Sequence, residues 1–194
     1  VKFRESGIHG GWIIELDRIG DERGWFARAW CAEEFAAHGL PSVFPQANMS
    51  FGYRAGTVRG LHVQLPPHHE GKAVRCVRGG VFDVAVDLRP DSPTYLQSAG
   101  VELDADDDSM VYVPAGCAHG YQSIVDDSTV YYMTSTPYTP GAERGLRWDD
   151  PLVAVDWPVT EGVTMSEKDR SWPLFDEPSW HLEHDRAGNQ GSQA

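Results

Sequence analysis

Residues 81–89 read VFDVAVDLR, with a large apolar side chain at every second position from Phe82. A period of two marks a β-strand, in which successive side chains point to opposite faces. Phe82, Val84, Val86 and Leu88 therefore share one face, and Asp83, Ala85, Asp87 and Arg89 share the other. Pro90-Asp91-Ser92-Pro93 ends the run, because proline offers no N–H to a ladder. Similar short segments recur at 12–16, 25–30, 46–50, 58–63, 72–77, 110–113 and 129–135. Turn signals separate them, among them Asp21-Glu22-Arg23-Gly24, Arg54-Ala55-Gly56 and Gly79-Gly80. One segment reads as helix, residues 32–39, where good helix formers end at a glycine in the stop position. Short strands, Gly/Pro turns and little helix predict an all-β fold, a double-sheet jelly roll or related barrel with short peripheral helices.

The 194 residues suffice for one domain with a sizeable core. We place that domain at 1–175 and a polar C-terminal tail at 176–194, apolar-poor and mobile from Glu183 onward. Beyond Pro137, the prolines at 140, 151, 158 and 173 break any long element, so loops and short helical turns are expected to pack back on the barrel.

A net charge of -13 argues against sequence-independent nucleic-acid binding, which needs a basic face. No apolar run approaches the ~20 residues of a membrane helix, and Val1-Lys2-Phe3-Arg4-Glu5 lacks the apolar core of a signal peptide. A cytoplasmic protein is expected. The acidic residues around Asp104-Ala105-Asp106-Asp107-Asp108, Asp126-Asp127 and Asp149-Asp150 read as solvated turns, without EF-hand spacing. Cys31, Cys76 and Cys117 have no CxxC spacing and read as reduced thiols, the last two buried.

Chemistry concentrates in two stretches, Arg59-Gly60-Leu61-His62 through Lys72, and Pro114-Ala115-Gly116-Cys117-Ala118-His119. They gather titratable groups on neighbouring expected strands, an arrangement that is costly unless the groups are used or paired. Two chemistries fit. In one, a metal cupin of the oxygenase or isomerase kind, Pro-x-Gly-x-x-His supplies a ligand with help from His62, His68, His69 and Glu70. The His-x-His spacing such a site uses is missing, and the adjacent His68-His69 falls in a proline-marked loop. In the other, no metal takes part. A neutral histidine removes a proton beside a carbonyl, Lys72 meets the enolate oxygen, and a tyrosine returns a proton from the opposite face. Tyr131 and Tyr132 point to opposite faces of their strand, so parity alone leaves the phenol open.

At this point the residues match a family. The chain resembles the dTDP-4-dehydrorhamnose 3,5-epimerases and their relatives in deoxysugar pathways. The ordered set runs from Asp21-Glu22-Arg23-Gly24 and Gln46-Ala47-Asn48-Met49-Ser50 through Arg59-Gly60-Leu61-His62-Val63-Gln64. It continues with Lys72, Ser92-Pro93-Thr94, Pro114-Ala115-Gly116-Cys117-Ala118-His119-Gly120, Tyr132, Tyr138, Trp148-Asp149-Asp150-Pro151 and Ser166-Glu167-Lys168-Asp169.

The resemblance implies a cofactor-free, metal-free cupin-type double-stranded β-helix, normally a homodimer, acting on a thymidine-diphosphate 4-keto-6-deoxyhexose. It implies His62 as general base, Asp169 as its orienting partner, Lys72 at the enolate and Tyr132 as the acid. Arg23, Gln46, Asn48, Arg59, His119, Tyr138, Glu143 and Arg170 match positions that hold sugar, diphosphate or base. In such dimers the Gln46 strand is commonly exchanged, so its contacts would serve the partner's site. Read from the residues alone, Asp169 and Arg23 are ordinary turn charges, Tyr138 a packing residue and Glu143-Arg144 a surface ion pair.

Arg28 stands where the family often has Glu, Met133 where it often has Lys, and Thr136-Pro137 where it often has Asp-Tyr. The connection Pro67-His68-His69-Glu70-Gly71 replaces a Gln-rich version. These departures are expected around the sugar and nucleotide pocket. A relative inverting C3 alone is the runner-up, and a non-catalytic sugar-nucleotide binding protein is the alternative outside enzymes.

Overall fold

The structure, a computed structural model, describes residues 1–191. Its strands are β1 (Lys2–Glu5), β2 (Trp12–Glu15), β3 (Ile19–Asp21), β4 (Gly24–Phe26), β5 (Gln46–Gly52), β6 (Val58–Gln64) and β7 (Lys72–Arg78). Then follow β8 (Gly80–Asp87), β9 (Ser98–Asp104), β10 (Ser109–Val113), β11 (Cys117–Ser123), β12 (Ser128–Thr134) and β13 (Glu143–Gly145). The helices are α1 (Ala32–Ala37), α2 (Glu167–Arg170) and α3 (Glu177–Gly191). A six-stranded sheet runs β1-β2-β10-β7-β12-β5 and a five-stranded sheet runs β13-β6-β11-β8-β9, with β3-β4 a separate hairpin. Two antiparallel sheets face to face make the jelly roll.

Three apolar layers follow from strand parity. Val74, Cys76, Val111, Val113 and Val130 of the larger sheet meet Val81, Ala85, Leu103 and Cys117 of the smaller one between the sheets. The outer face of the smaller sheet, with Val58, Leu61, Val84, Val86 and Leu88, is covered by Leu146, Val153, Trp157 and Trp180 of the later chain. The outer face of the larger sheet is covered by Phe35 and Leu40 of the α1 segment against Ile14, Ala73 and Met110. The parity read for β8 holds, but both of its faces are covered, so Asp83 and Asp87 are buried too.

Several expectations change. The strand at 25–30 stops at Phe26, because the chain turns to set Trp30 edge-on to Phe35 and Phe44. His119 was expected on a strand, but no periodicity marked the strand's bounds at 117–123, where β11 has every residue buried. A strand covered on both faces, one of them carrying His119 and Tyr121, shows no alternation. Two turn aspartates are not solvated. Asp108 pairs with Arg18 and Arg75, and Asp150 accepts from the backbone N–H groups of Leu152 and Phe175. The polar tail at 176–194 is helical over α3, pinned where Trp180 Nε1 donates to the Leu88 carbonyl at 3.1 Å. Residues 192–194 of that tail lie outside the described residues. Cys76 and Cys117 are buried and all three cysteines are free. Among the described residues, no helix is long and apolar enough to cross a membrane.

Candidate active site

The inner face of the larger sheet changes character along its strands. Ser50, Val130 and Cys76 lie abreast, then Asn48, Tyr132 and Val74, then Gln46, Thr134 and Lys72. The row thus passes from apolar to polar toward one end of the roll. Facing it, His62 on β6 and His119 on β11 are cross-strand partners, as are Arg59 and Tyr121. Between the sheets opens a cavity of about 390 Å3, lined among others by His62, Lys72, His119, Tyr132, Glu143 and Asp169. Strand parity therefore turns Tyr132 inward, while Tyr131 and Met133 line a separate outer depression.

His62 Nε2 lies 2.6 Å from Asp169 Oδ1. Asp169 sits on α2, whose first turn is capped by Ser166, its Oγ accepting from the Asp169 N–H at 3.0 Å. Burial alone pushes the Asp169 carboxyl up. The hydrogen bond and charge of His62, with the bonds from Ser166 and the Gly60 backbone, together outweigh that, so it is held below the ordinary carboxylate range. The Arg-Gly of the first motif has a steric reason. Gly60 has φ +123, and a Cβ there would lie 2.6 Å from Gly120 Cα. Glycine lets β6 and β11 close up beside the two histidines.

His119 Nε2 has both oxygens of Asp83 within 3.0 Å. Lys72 Nζ lies 3.1 Å from Glu70 Oε1. The Tyr132 phenol is pushed above its ordinary value, by burial first and then by Glu70 and Glu143, with Arg59 opposing. The Glu143 carboxylate accepts from Tyr138 Oη at 3.2 Å and pairs with Lys168. Arg144 pairs with Glu183 instead, so the Glu143-Arg144 pair does not form. Tyr138 N–H donates to Gln46 Oε1 at 3.1 Å.

Of the residues expected at the site, His62, Asp169, Lys72, Tyr132, Gln46, Asn48, Arg59, His119, Tyr138 and Glu143 line the cavity. Arg23 does not. It lies at the tip of the exposed β3-β4 hairpin, paired with Asp21. Arg170 is exposed on α2, outside the lining. β5 pairs with β12 of its own chain, and Gln46 and Asn48 line that chain's cavity. Of the departures, Arg28 pairs with Glu34 on the surface and Met133 faces outward. The 136–137 segment and the 67–71 connection border the cavity. Sequence reasoning missed Asp83. Its signal was an aspartate at inward parity on the clearest strand. Among the described residues, no three potential ligands gather as a metal site.

A jelly roll whose cavity joins a histidine–carboxylate dyad to a lysine and a buried phenol defines a proton-transfer enzyme of the cupin class. The model of the dTDP-4-dehydrorhamnose 3,5-epimerase family matches residues 5–177, and the chain belongs to that family. A dTDP-4-dehydrorhamnose 3,5-epimerase of Sinorhizobium fredii is 41% identical over 171 residues, covering 88% of each chain. A dTDP-4-dehydrorhamnose 3-epimerase of Streptomyces niveus is 40% identical over 178 residues, covering 91% of this chain and 85% of that one. The crystal structure of the 3,5-epimerase of Elizabethkingia anophelis superposes with a TM-score of 0.87 at 35% identity, over 90% of this chain and 96% of the other.

Proposed function

We propose that this protein inverts C3 and C5 of a dTDP-4-keto-6-deoxyhexose, in deoxysugar synthesis of the rhamnose type. The observation that carries the proposal is the 2.6 Å His62–Asp169 bond on a cavity that Lys72 and Tyr132 share. Asp169 accepts the Nε2–H, which leaves Nδ1 of neutral His62 as the base. A proton on the carbon beside the C4 ketone passes to Nδ1, and its electron pair moves to the ketone oxygen. The Lys72 ammonium meets the developing negative charge; losing such a donor typically costs ~3–4 kcal/mol. Tyr132 then delivers its phenolic proton from the other face, and the centre is inverted. Its raised pKa keeps that proton in place until it is needed.

Gln46, Asn48, Arg59, His119, Tyr138 and Glu143 would hold the sugar and nucleotide. The lining supplies Arg59 and Lys72 as fixed cations, against the carboxylates of Glu70, Glu143 and Asp169. A further guanidinium would strengthen the hold on a diphosphate, which arginine can bind in bidentate fashion. A homodimer in which the partner brings Arg23 to the cavity would supply it. The hairpin carrying Arg23 presents Ile19 and Phe26 at 71% and 68% exposure, more apolar surface than an isolated hairpin needs. Arg170 would act at the cavity rim. The free cysteines fit a reducing cytoplasm.

Inversion of C3 alone is the second reading, favoured by the likeness to the Streptomyces niveus 3-epimerase. Incubation with dTDP-4-keto-6-deoxyglucose in heavy water, read by NMR, separates the two. Deuterium and inversion at C3 and C5 are expected; label at C3 alone selects the second reading, and no label rejects both.

A further inference from the structure

The proposed chemistry gives work to every carboxylate on the cavity wall except one. Asp169 is committed to His62, and Glu143 to Lys168 and Tyr138. Glu70 is committed to Lys72, with Oε1 at 3.1 Å from Nζ and both side chains only 10% exposed.

The backbone around Glu70 is bolted on both sides. The Thr136 hydroxyl donates to the His69 carbonyl at 2.8 Å. Gly71 N–H donates to Ser135 Oγ at 2.8 Å, and Ser135 N–H returns a bond to the Gly71 carbonyl at 2.9 Å. Gly71 itself has no room for a side chain, since a Cβ would lie 2.3 Å from Tyr112 Oη. Glu70 is thus a fixed acceptor, unlike a carboxylate on a free loop.

Lysine is the opposite kind of group, a compact ammonium with three donors on a flexible four-carbon stem. A fixed carboxylate occupying one donor sets the position of the nitrogen and leaves two donors for the cavity. We propose that Glu70 is a positioning residue, which holds the Lys72 ammonium at the point on the cavity wall where charge develops on the substrate's carbonyl oxygen. This rests on the epimerase function proposed above, since it is that reaction which places charge there. Misplacing a catalytic group by about 1 Å can cost on the order of 100-fold in rate, so the effect falls on turnover rather than on binding.

The test compares wild type, Glu70→Ala, Glu70→Gln, Lys72→Ala and the double variant Glu70→Ala/Lys72→Ala. Each is assayed for deuterium wash-in on dTDP-4-keto-6-deoxyglucose, with melting temperature recorded alongside. Glu70→Ala is expected to lower kcat by about 10- to 100-fold while KM changes by less than about threefold. Glu70→Gln, which keeps an acceptor at the same place, should recover part of the loss. In the Lys72→Ala background, Glu70→Ala should cost less than about twofold more, because its route to the substrate is already gone. Full activity in Glu70→Ala, or the same loss with and without Lys72, overturns the assignment. Wild-type protein that exchanges no deuterium rejects the epimerase function, and this role with it. Wild-type exchange with an unaffected Glu70→Ala rejects the role alone.

Discussion

Asp83 and His119 are locked together at the floor of the cavity, with both carboxylate oxygens 2.9–3.0 Å from Nε2 and exposures of 1% and 8%. The pair joins β8 to β11 through side chains where the ladder already joins them through the backbone. It fixes which nitrogen of His119 is left for the cavity. Asp83→Asn keeps the shape and removes the charge. It should lower stability by about 1–3 kcal/mol, the usual effect on a buried charge-assisted bond, and should raise KM more than it lowers kcat. Urea unfolding and steady-state kinetics report both. Unchanged KM would mean that His119 does not touch substrate.

Gly145 lies opposite His62 in the β13-β6 ladder, and the Trp172 indole rests on it. A Cβ at Gly145 would lie 2.5–2.6 Å from that ring, whose centroid is 6.2 Å from the His62 imidazole. Gly145→Ala must displace the indole. Overpacking of this kind costs about 1–3 kcal/mol, and kcat should fall as the dyad's neighbour moves. A variant that melts and turns over like wild type would show that Trp172 yields without disturbing His62.

The Tyr132 phenol must hold its proton to act as an acid. Burial, then Glu70 and Glu143, keep it above its ordinary value of 10.0, against the opposing pull of Arg59. The rate of inversion should therefore hold at alkaline pH until above that value, and Tyr132→Phe should abolish inversion while sparing part of the deuterium exchange. The measurement is a pH–rate profile of exchange and inversion together. Full inversion by Tyr132→Phe would assign the acid elsewhere.

Acid sensitivity has a separate source. Burial alone pushes the Asp87 carboxyl up, but hydrogen bonds from Arg89, Ser92 and Thr94 outweigh it and hold the group at about 2, against an ordinary 3.8. A lowered folded-state value stabilises the fold above the ordinary value, and that contribution is lost as pH falls from 3.8 to about 2. The shift corresponds to about 2 kcal/mol. Urea midpoints between pH 5 and pH 2 should fall more steeply in wild type than in Asp87→Asn. Parallel curves would place the acid lability in another group.

The strands with one clear period were legible, β8 above all, and with them Lys72 and His62; Tyr132 was told from Tyr131 only by the family pattern, because parity puts one phenol on each face. Asp169 was legible only through the family pattern. It is 107 positions from His62 in a stretch, Ser166-Glu167-Lys168-Asp169, whose composition is that of a surface turn. The Ser166 cap and the close approach of Gly60 carry it inward, and neither has a periodicity. The extent of β11 was illegible because burial on both faces erases alternation. Asp150 and Asp108 looked solvated because charge alone does not reveal a waiting N–H or guanidinium. Trp180 is the one aromatic side chain besides histidine in a polar stretch, and it seats α3.

The hydrogen bonds from Ser135 and Thr136 to the backbone at 69–71 have a consequence for anyone reshaping the pocket. Two of the departures from the family pattern, at 67–71 and at 136–137, are one physical object written in two places in the chain. His68 Nδ1 adds to the seam, 3.3 Å from Thr139 Oγ1. Grafting either segment alone from a relative would pair a new loop with an old clasp, so a chimera has to carry both halves across together.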